Sequence, residues 1–116
     1  MKDGDCLFCK IIAEEIPADV IFDRGGVIAF RDVNPQAPLH ALVVPKDHVR
    51  DAAAVDASHG SLLVELIGAA NEIAEADGVD ASGYRLVLNV GADAGQTVFH
   101  LHLHVIGGRP MAWPPG

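Results

Sequence analysis

Phe99-His100-Leu101-His102-Leu103-His104-Val105-Ile106 sets three histidines on alternate positions of one short run. Polar and apolar residues alternating this way mark a strand with one buried face. Leu101, Leu103 and Val105 are expected inward, with the histidines together on the opposite side. Imidazole changes charge near neutral pH and ligates metals, so the row suits proton-linked chemistry or metal binding. Neighbours in it stand about 6.5–7 Å apart and its ends about 13 Å apart at Cα. All three therefore cannot hold one ion; at most an adjacent pair could. A solvated strand face would ordinarily carry Thr, Lys or Glu, so the row reads as functional. Gly91-Ala92-Asp93-Ala94-Gly95-Gln96-Thr97 leads into it and Gly107-Gly108 follows. A second group, Cys6-Leu7-Phe8-Cys9, spaces two thiols as redox and metal-binding pairs do, without a thioredoxin-like βαβ pattern around it.

The elements that must position these residues follow from periodicity. Leu7, Phe8, Ile11 and Ile12 recur at helical spacing, and Pro17 is expected to stop that helix. Val20-Ile21-Phe22 and Val27-Ile28-Ala29-Phe30 read as a hairpin across Asp23-Arg24-Gly25-Gly26. Asn34-Pro35-Gln36-Ala37-Pro38 is a turn-rich connection, and His40–Val44 is a third strand ended by Pro45. A long helix is expected from about Ser61 to Ala76, with an apolar stripe of Leu62, Leu63, Leu66, Ile67, Ala70, Ile73 and Ala74. Its Glu65, Glu72 and Glu75 stay in water, Asp77-Gly78 ends it, and His59 is a solvated residue at its start. Tyr84–Val90 and Val98–Ile106 complete five strands. Hairpin-joined strands with one long inserted helix imply an α+β domain on a mainly antiparallel sheet. So small a sheet leaves apolar surface for a partner subunit.

With 116 residues, half of them hydrophobic, the chain is expected to form a single domain with a real core. No stretch reaches the ~18 apolar residues of a membrane span, and Met1-Lys2-Asp3-Gly4-Asp5 has no signal-peptide character. A cytoplasmic protein is the expectation. The formal charge of −8 argues against nucleic-acid binding through a basic face. It leaves room for a small anion held by local backbone N–H groups.

On these residues the chain resembles the histidine triad nucleotide-binding proteins, and within them the Hint branch of phosphoramidate hydrolases. The resemblance runs through Phe8-Cys9-Lys10-Ile11-Ile12 with Glu15-Ile16-Pro17-Ala18, Phe30-Arg31-Asp32-Val33-Asn34-Pro35-Gln36-Ala37-Pro38-Leu39-His40 and Val44-Pro45-Lys46-Asp47-His48. It continues through Gly83-Tyr84-Arg85, Asn89-Val90-Gly91, Gly95-Gln96-Thr97-Val98-Phe99, the triad and the ending Trp113-Pro114-Pro115-Gly116. It implies a single HIT domain over residues 1–116, with two protomers joining their sheets in a homodimer.

The resemblance also implies roles. His102 attacks the α-phosphorus of a nucleotide, giving a nucleotidyl-imidazole that water cleaves. The carbonyl of His100 holds its other ring nitrogen, His104 contacts the phosphate or leaving group in proton transfer, and His40 buttresses the triad. Gly95 and Gln96 supply backbone N–H groups, Thr97 a hydroxyl near the leaving group, and Asn89 a contact to phosphate or sugar. Many Hint proteins carry Ser at this Thr position. Asp32 binds the ribose hydroxyls, while Phe8, Ile11, Phe30 and Val33 line the base slot. Trp113 reaches a partner's leaving-group pocket. Some bacterial members tie a structural zinc with residues matching Cys6, Cys9, His48 and His100, an S2N2 set. The implied substrates are purine nucleoside phosphoramidates, AMP-type ligands and acyl-adenylates. Dinucleoside polyphosphate hydrolysis of the Fhit-like kind, or a zinc-stabilised nucleotide-binding module with little turnover, are the rival readings.

Overall fold

The computed structural model describes residues 5–116; residues 1–4, on which the reading of the N-terminus as lacking a signal peptide rests, lie outside them. Helix α1 (Leu7–Ile12) precedes strands β1 (Val20–Arg24), β2 (Val27–Arg31) and β3 (Leu39–Pro45). Helix α2 (Gly60–Ala76), β4 (Tyr84–Val87) and β5 (Leu103–Gly107) follow. The five strands form one sheet in the order β1-β2-β3-β5-β4, every pairing antiparallel. Among the described residues no helix is long and apolar enough to cross a membrane.

The Cys6 thiol caps α1 by accepting from the Cys9 N–H at 3.3 Å. The helix ends before Pro17, contrary to expectation. Glu14 takes φ of 63°, and the N–H groups of Glu14 and Glu15 close onto the carbonyls of Ile11 and Lys10. That is the left-handed C-terminal closure usually given to glycine. Between β1 and β2 the register pairs Arg24 with Val27, so Gly25-Gly26 alone forms the turn, with Gly25 at φ of 60°. A two-residue hairpin loop needs such a residue.

All seven residues of β3 are buried, as suits the sheet's central strand. The pleat sorts side chains between two faces. Val27, Ala29, Leu39, Ala41, Val43, Leu103 and Val105 face α2 and meet Leu66, Ala69, Ala70, Ile73 and Ala74. Ile28, Phe30, Leu42 and Val44 face the other way, against Phe8, Cys6 and Cys9 of the α1 region. The α2 stripe departs from expectation at one place: Ile67 is 48% exposed and Ala69 takes the buried position.

Both C-terminal strands are shorter than their sequence patterns. β5 begins at Leu103, because before it the Leu101 N–H turns to the Val49 carbonyl at 2.6 Å and leaves the ladder. β4 stops at Val87, which pairs with His104, so residues 88–90 have no β5 partner. His59 is likewise engaged: its Nδ1 accepts from the Asp56 N–H at 3.0 Å in a capping box ahead of α2.

Leu66 is 1% exposed at the centre of the main core. Leu66→Ala is expected to lower unfolding stability by about 2–5 kcal/mol in a urea titration. Exposed Glu75→Ala on the same helix should stay within about 0.5 kcal/mol.

Candidate active site

His100 is fully buried in the extended segment before β5. Its Nε2–H donates to the Pro45 carbonyl at 2.8 Å, where β3 ends. The lone pair therefore sits on Nδ1, which faces Cys6 Sγ at 3.3 Å and Cys9 Sγ at 3.5 Å. His48 Nδ1 lies 3.4 Å from Cys9 Sγ. The donor atoms of Cys6, Cys9, His48 and His100 all fall within 4.8 Å of one another. Two thiols, two imidazoles and a carbonyl that fixes the tautomer of one ligand form a set able to hold a tetrahedral metal ion. Burial pushes the Cys6 thiol upward, and a bound cation would restore the thiolate that ligation requires. The fit is good.

A second group, Asp32, His40 and His104, is equally close, but its hydrogen bonds organise it differently. The Gln36 N–H donates to His40 Nδ1 at 3.0 Å, so the His40 proton is on Nε2. That N–H donates to His104 Nδ1 at 2.9 Å and leans toward Asp32 Oδ2 at 3.4 Å. His104 must then carry its own proton on Nε2. These three form a proton-ordered chain rather than converging lone pairs.

For His102 the order is reversed. Its Nδ1–H donates to the His100 carbonyl at 2.7 Å, leaving the lone pair on Nε2. Phe8 abuts this ring edge-on, with centroids 5.1 Å apart, and the His104 ring is 5.0 Å away. Burial lowers the pKa of His102. For His104 burial, then its neighbours His102 and His40, bring it to about 4. His104 is thus neutral near pH 7, and two adjacent imidazoles present a bare nitrogen and an N–H.

Both rings line a cavity of about 370 Å³. Of the residues assigned to a nucleotide, Phe8, Ile11, Phe30, Asp32, Val33, Asn89, Gly95 and Thr97 line it too. Two do not. Gln96 is buried beneath the loop: its Oε1 accepts from the Gly91 N–H at 2.8 Å, and its Nε2 donates to the Arg50 and Val98 carbonyls at 3.1 and 3.2 Å. The backbone N–H groups of Gly95 and Gln96 are bonded within the turn, to Ala92 and Gly91 carbonyls. Trp113 is 83% exposed and lies outside this cavity. Sequence reading missed Leu7, Ile16, Pro17, Ala18, Arg31, Leu42 and Val98 in the lining. Leu7 had a periodicity signal, one helical turn before Ile11; Ile16, Pro17 and Ala18 arrive through the α1–β1 connection, Arg31 and Leu42 through the sheet pleat, and Val98 through the loop before β5.

The HIT domain model matches residues 13–111. The chain belongs to that family. A HIT family hydrolase from Legionella pneumophila Philadelphia 1 is 48% identical, with a TM-score of 0.94 over 97% of this chain and 100% of the other. The purine nucleoside phosphoramidase of Escherichia coli (strain K12) is 42% identical over 92% of this chain and 90% of its own. A 14 kDa zinc-binding protein of Zea mays is 42% identical over 100% of this chain and 91% of its own.

Nitrogen-15 NMR of the histidine rings should find His104 in the Nε2–H form, titrating near pH 4. Its folded value lies below the ordinary 6.5. The unfolded chain therefore binds this proton first, and stability should fall as pH drops through that interval. A midpoint at 6.5 would contradict the effect assigned to burial, and an Nδ1–H form would contradict the hydrogen-bond order.

Proposed function

We propose that the protein hydrolyses purine nucleoside phosphoramidates through a covalent nucleotidyl-histidine. The observation that carries this reading is the pairing, in one cavity, of the His102 Nε2 lone pair with the His104 Nε2–H. The first is a neutral nucleophile; the second is a donor for the phosphoryl group. The likeness to the Escherichia coli purine nucleoside phosphoramidase supports the same substrate class.

In the proposed first step His102 Nε2 forms a bond to the α-phosphorus and the P–N bond breaks. The bonding pair leaves with nitrogen, which takes up a proton from solvent as the bond breaks and departs as a neutral amine. The His100 carbonyl steadies the charge that appears on the His102 ring. In the second step water attacks phosphorus, the N–P pair returns to Nε2, and the water proton passes to the released amine. AMP and the free imidazole result. Asp32 would accept from the ribose hydroxyls at the cavity rim, with Phe8, Ile11, Phe30 and Val33 against the base and Thr97 and Asn89 toward the phosphate and leaving group. His40 orients His104. Acyl-adenylates fit the same attack, with a carboxylate leaving.

Zinc is the proposed occupant of the Cys6, Cys9, His48, His100 site, supported by its donor set and the Zea mays relative. It would hold α1 to the sheet; all chemical steps above belong to the histidines. A homodimer is proposed as well: Leu86 on the edge strand, Leu88 and Val90 beyond it, and Val64 and Ile67 on α2 are apolar and exposed. Trp113 would then be free to reach a partner's site.

His102→Ala should lower turnover of adenosine 5′-phosphoramidate by about 10³–10⁶-fold, as loss of a covalent nucleophile does, while AMP binding measured by calorimetry persists. Equal turnover in both proteins would remove His102 as nucleophile. Zinc analysis should find His102→Ala fully loaded and His100→Ala depleted, and chelation should lower the melting temperature of the wild type. Full zinc in His100→Ala would refute the ligand set.

A further inference from the structure

Gly107-Gly108-Arg109, at the end of β5 and just beyond it, has no part in the chemistry above, yet it is tightly constrained. A Cβ on Gly107 would come within 3.0 Å of Val79 and 3.1 Å of Tyr84 Cβ. One on Gly108, where φ is +93°, would sit 2.9 Å from Pro38 Cβ. Gly107 thus keeps the strand end close to Val79 and Tyr84, while Gly108 lets the chain lie against Pro38 of the Asn34–Pro38 turn, and the next residue uses that proximity. Arg109 Nε–H donates to the Gln36 carbonyl at 2.9 Å. Gln36 is the residue whose own N–H fixes the proton of His40.

From this we infer that Arg109 is a positioning residue for the triad: it anchors the Gln36 turn and, through the Gln36 N–H and His40, holds His104 in its Nε2–H form. The alternative state is easily drawn. If the Gln36 N–H withdraws, His40 can carry its proton on Nδ1 and accept at Nε2 from His104. His104 then turns a bare Nε2 lone pair toward the cavity, where phosphoryl oxygens would be repelled rather than bound. The two states differ only in which nitrogen of each ring bears hydrogen; the Gln36 N–H on His40 Nδ1 and the Asp32 carboxylate 3.4 Å from His40 Nε2 favour the same one, and Arg109 acts on the first of these contacts.

The inference rests on the role given to His104 in the proposed reaction, but its main readout does not, because tautomers are read without substrate. Nitrogen-15 ring shifts would be recorded for wild type, Arg109→Ala, Arg109→Lys and Gly108→Ala, with melting curves to verify folding. Wild type should show Nε2–H on His40 and His104. Arg109→Ala and Gly108→Ala should admit the Nδ1–H form and lower kcat for adenosine 5′-phosphoramidate about tenfold, a fraction of a general acid–base contribution. KM should move less than about twofold, and Arg109→Lys, which keeps a donor, should recover part of both signals. Unchanged tautomers in Arg109→Ala would overturn the inference whatever happens to activity, since Arg109 would then be merely structural. So would a tautomer shift with wild-type kcat. A folded wild type that binds AMP without turnover would instead defeat the hydrolase reading, with the ring shifts still deciding the tautomer claim.

Discussion

One buried residue joins the separate parts of the site. The His100 ring donates to the end of β3 through Nε2 and faces two thiols through Nδ1, while its carbonyl takes the His102 proton. The direction of each hydrogen bond determines the next. Because Pro45 presents only a carbonyl, Nε2 must be the donor; Nδ1 is then available to a metal. Because the His100 carbonyl can only accept, His102 must place its proton on Nδ1 and its lone pair on Nε2. A buried polar network with every member satisfied is rigid, and no buried side-chain nitrogen or oxygen among the described residues lacks a partner. The orientation of the His102 ring is thus inherited from the backbone rather than from a separate acidic residue.

The sheet pleat makes this arrangement compatible with a stable fold. On β3 and β5 the residues facing α2 are apolar and build the main core, while His40 and His104 fall on the opposite face. On that face α1 packs against Leu42 and Val44, and its Phe8, between the two thiols in sequence, touches the His102 ring edge-on. The same short helix therefore contributes to the Cys6–Cys9–His48–His100 cluster and to the cavity wall. Holding α1 in place and shaping the slot are one structural problem. A six-residue helix has little stability of its own, so a cysteine cap, a left-handed closure and any bound metal all bear on it.

Much of this was legible in the sequence, and the failures have definite causes. The alternation of Leu101, Leu103 and Val105 with the histidines announced the two faces, because side-chain period is a local property. Strand length is not local. Where β5 begins depends on Leu101 bonding to Val49, and where β4 ends depends on where β5 begins. The two helix faces differ for the same reason: Ile67 fits the apolar stripe by spacing alone, but the sheet is too narrow to cover it. Gln96 shows another limit. Its neighbourhood indicated a phosphate loop, but not that its amide would brace the loop from beneath while the backbone N–H groups bonded inside the turn. The CxxC pair was readable as a thiol pair, whereas its partners His48 and His100 are 39 and 91 residues from Cys9.

The electrostatics bear on which anion the site suits. Of the residues lining the cavity, Arg31 alone is a permanent cation, and its guanidinium is paired with Asp77 at 3.3 Å and Asp19 at 3.7 Å. The histidine at the reacting centre that titrates near 4 is neutral under ordinary conditions, and the whole chain carries a formal charge of −8. Such a cavity stabilises negative charge through oriented N–H and O–H dipoles rather than through opposing charge. Dipoles fixed in a partly dry site are effective for a charge that is small in the ground state and redistributes during reaction. They are poor at drawing a polyphosphate out of water, where several negative charges lose hydration together. A single phosphoryl group carrying one negative charge is the better match, since less hydration is lost on entry. The same neutrality that leaves the His102 lone pair free therefore also disfavours highly charged ligands, so both features of the proposed reaction trace to one property of the site.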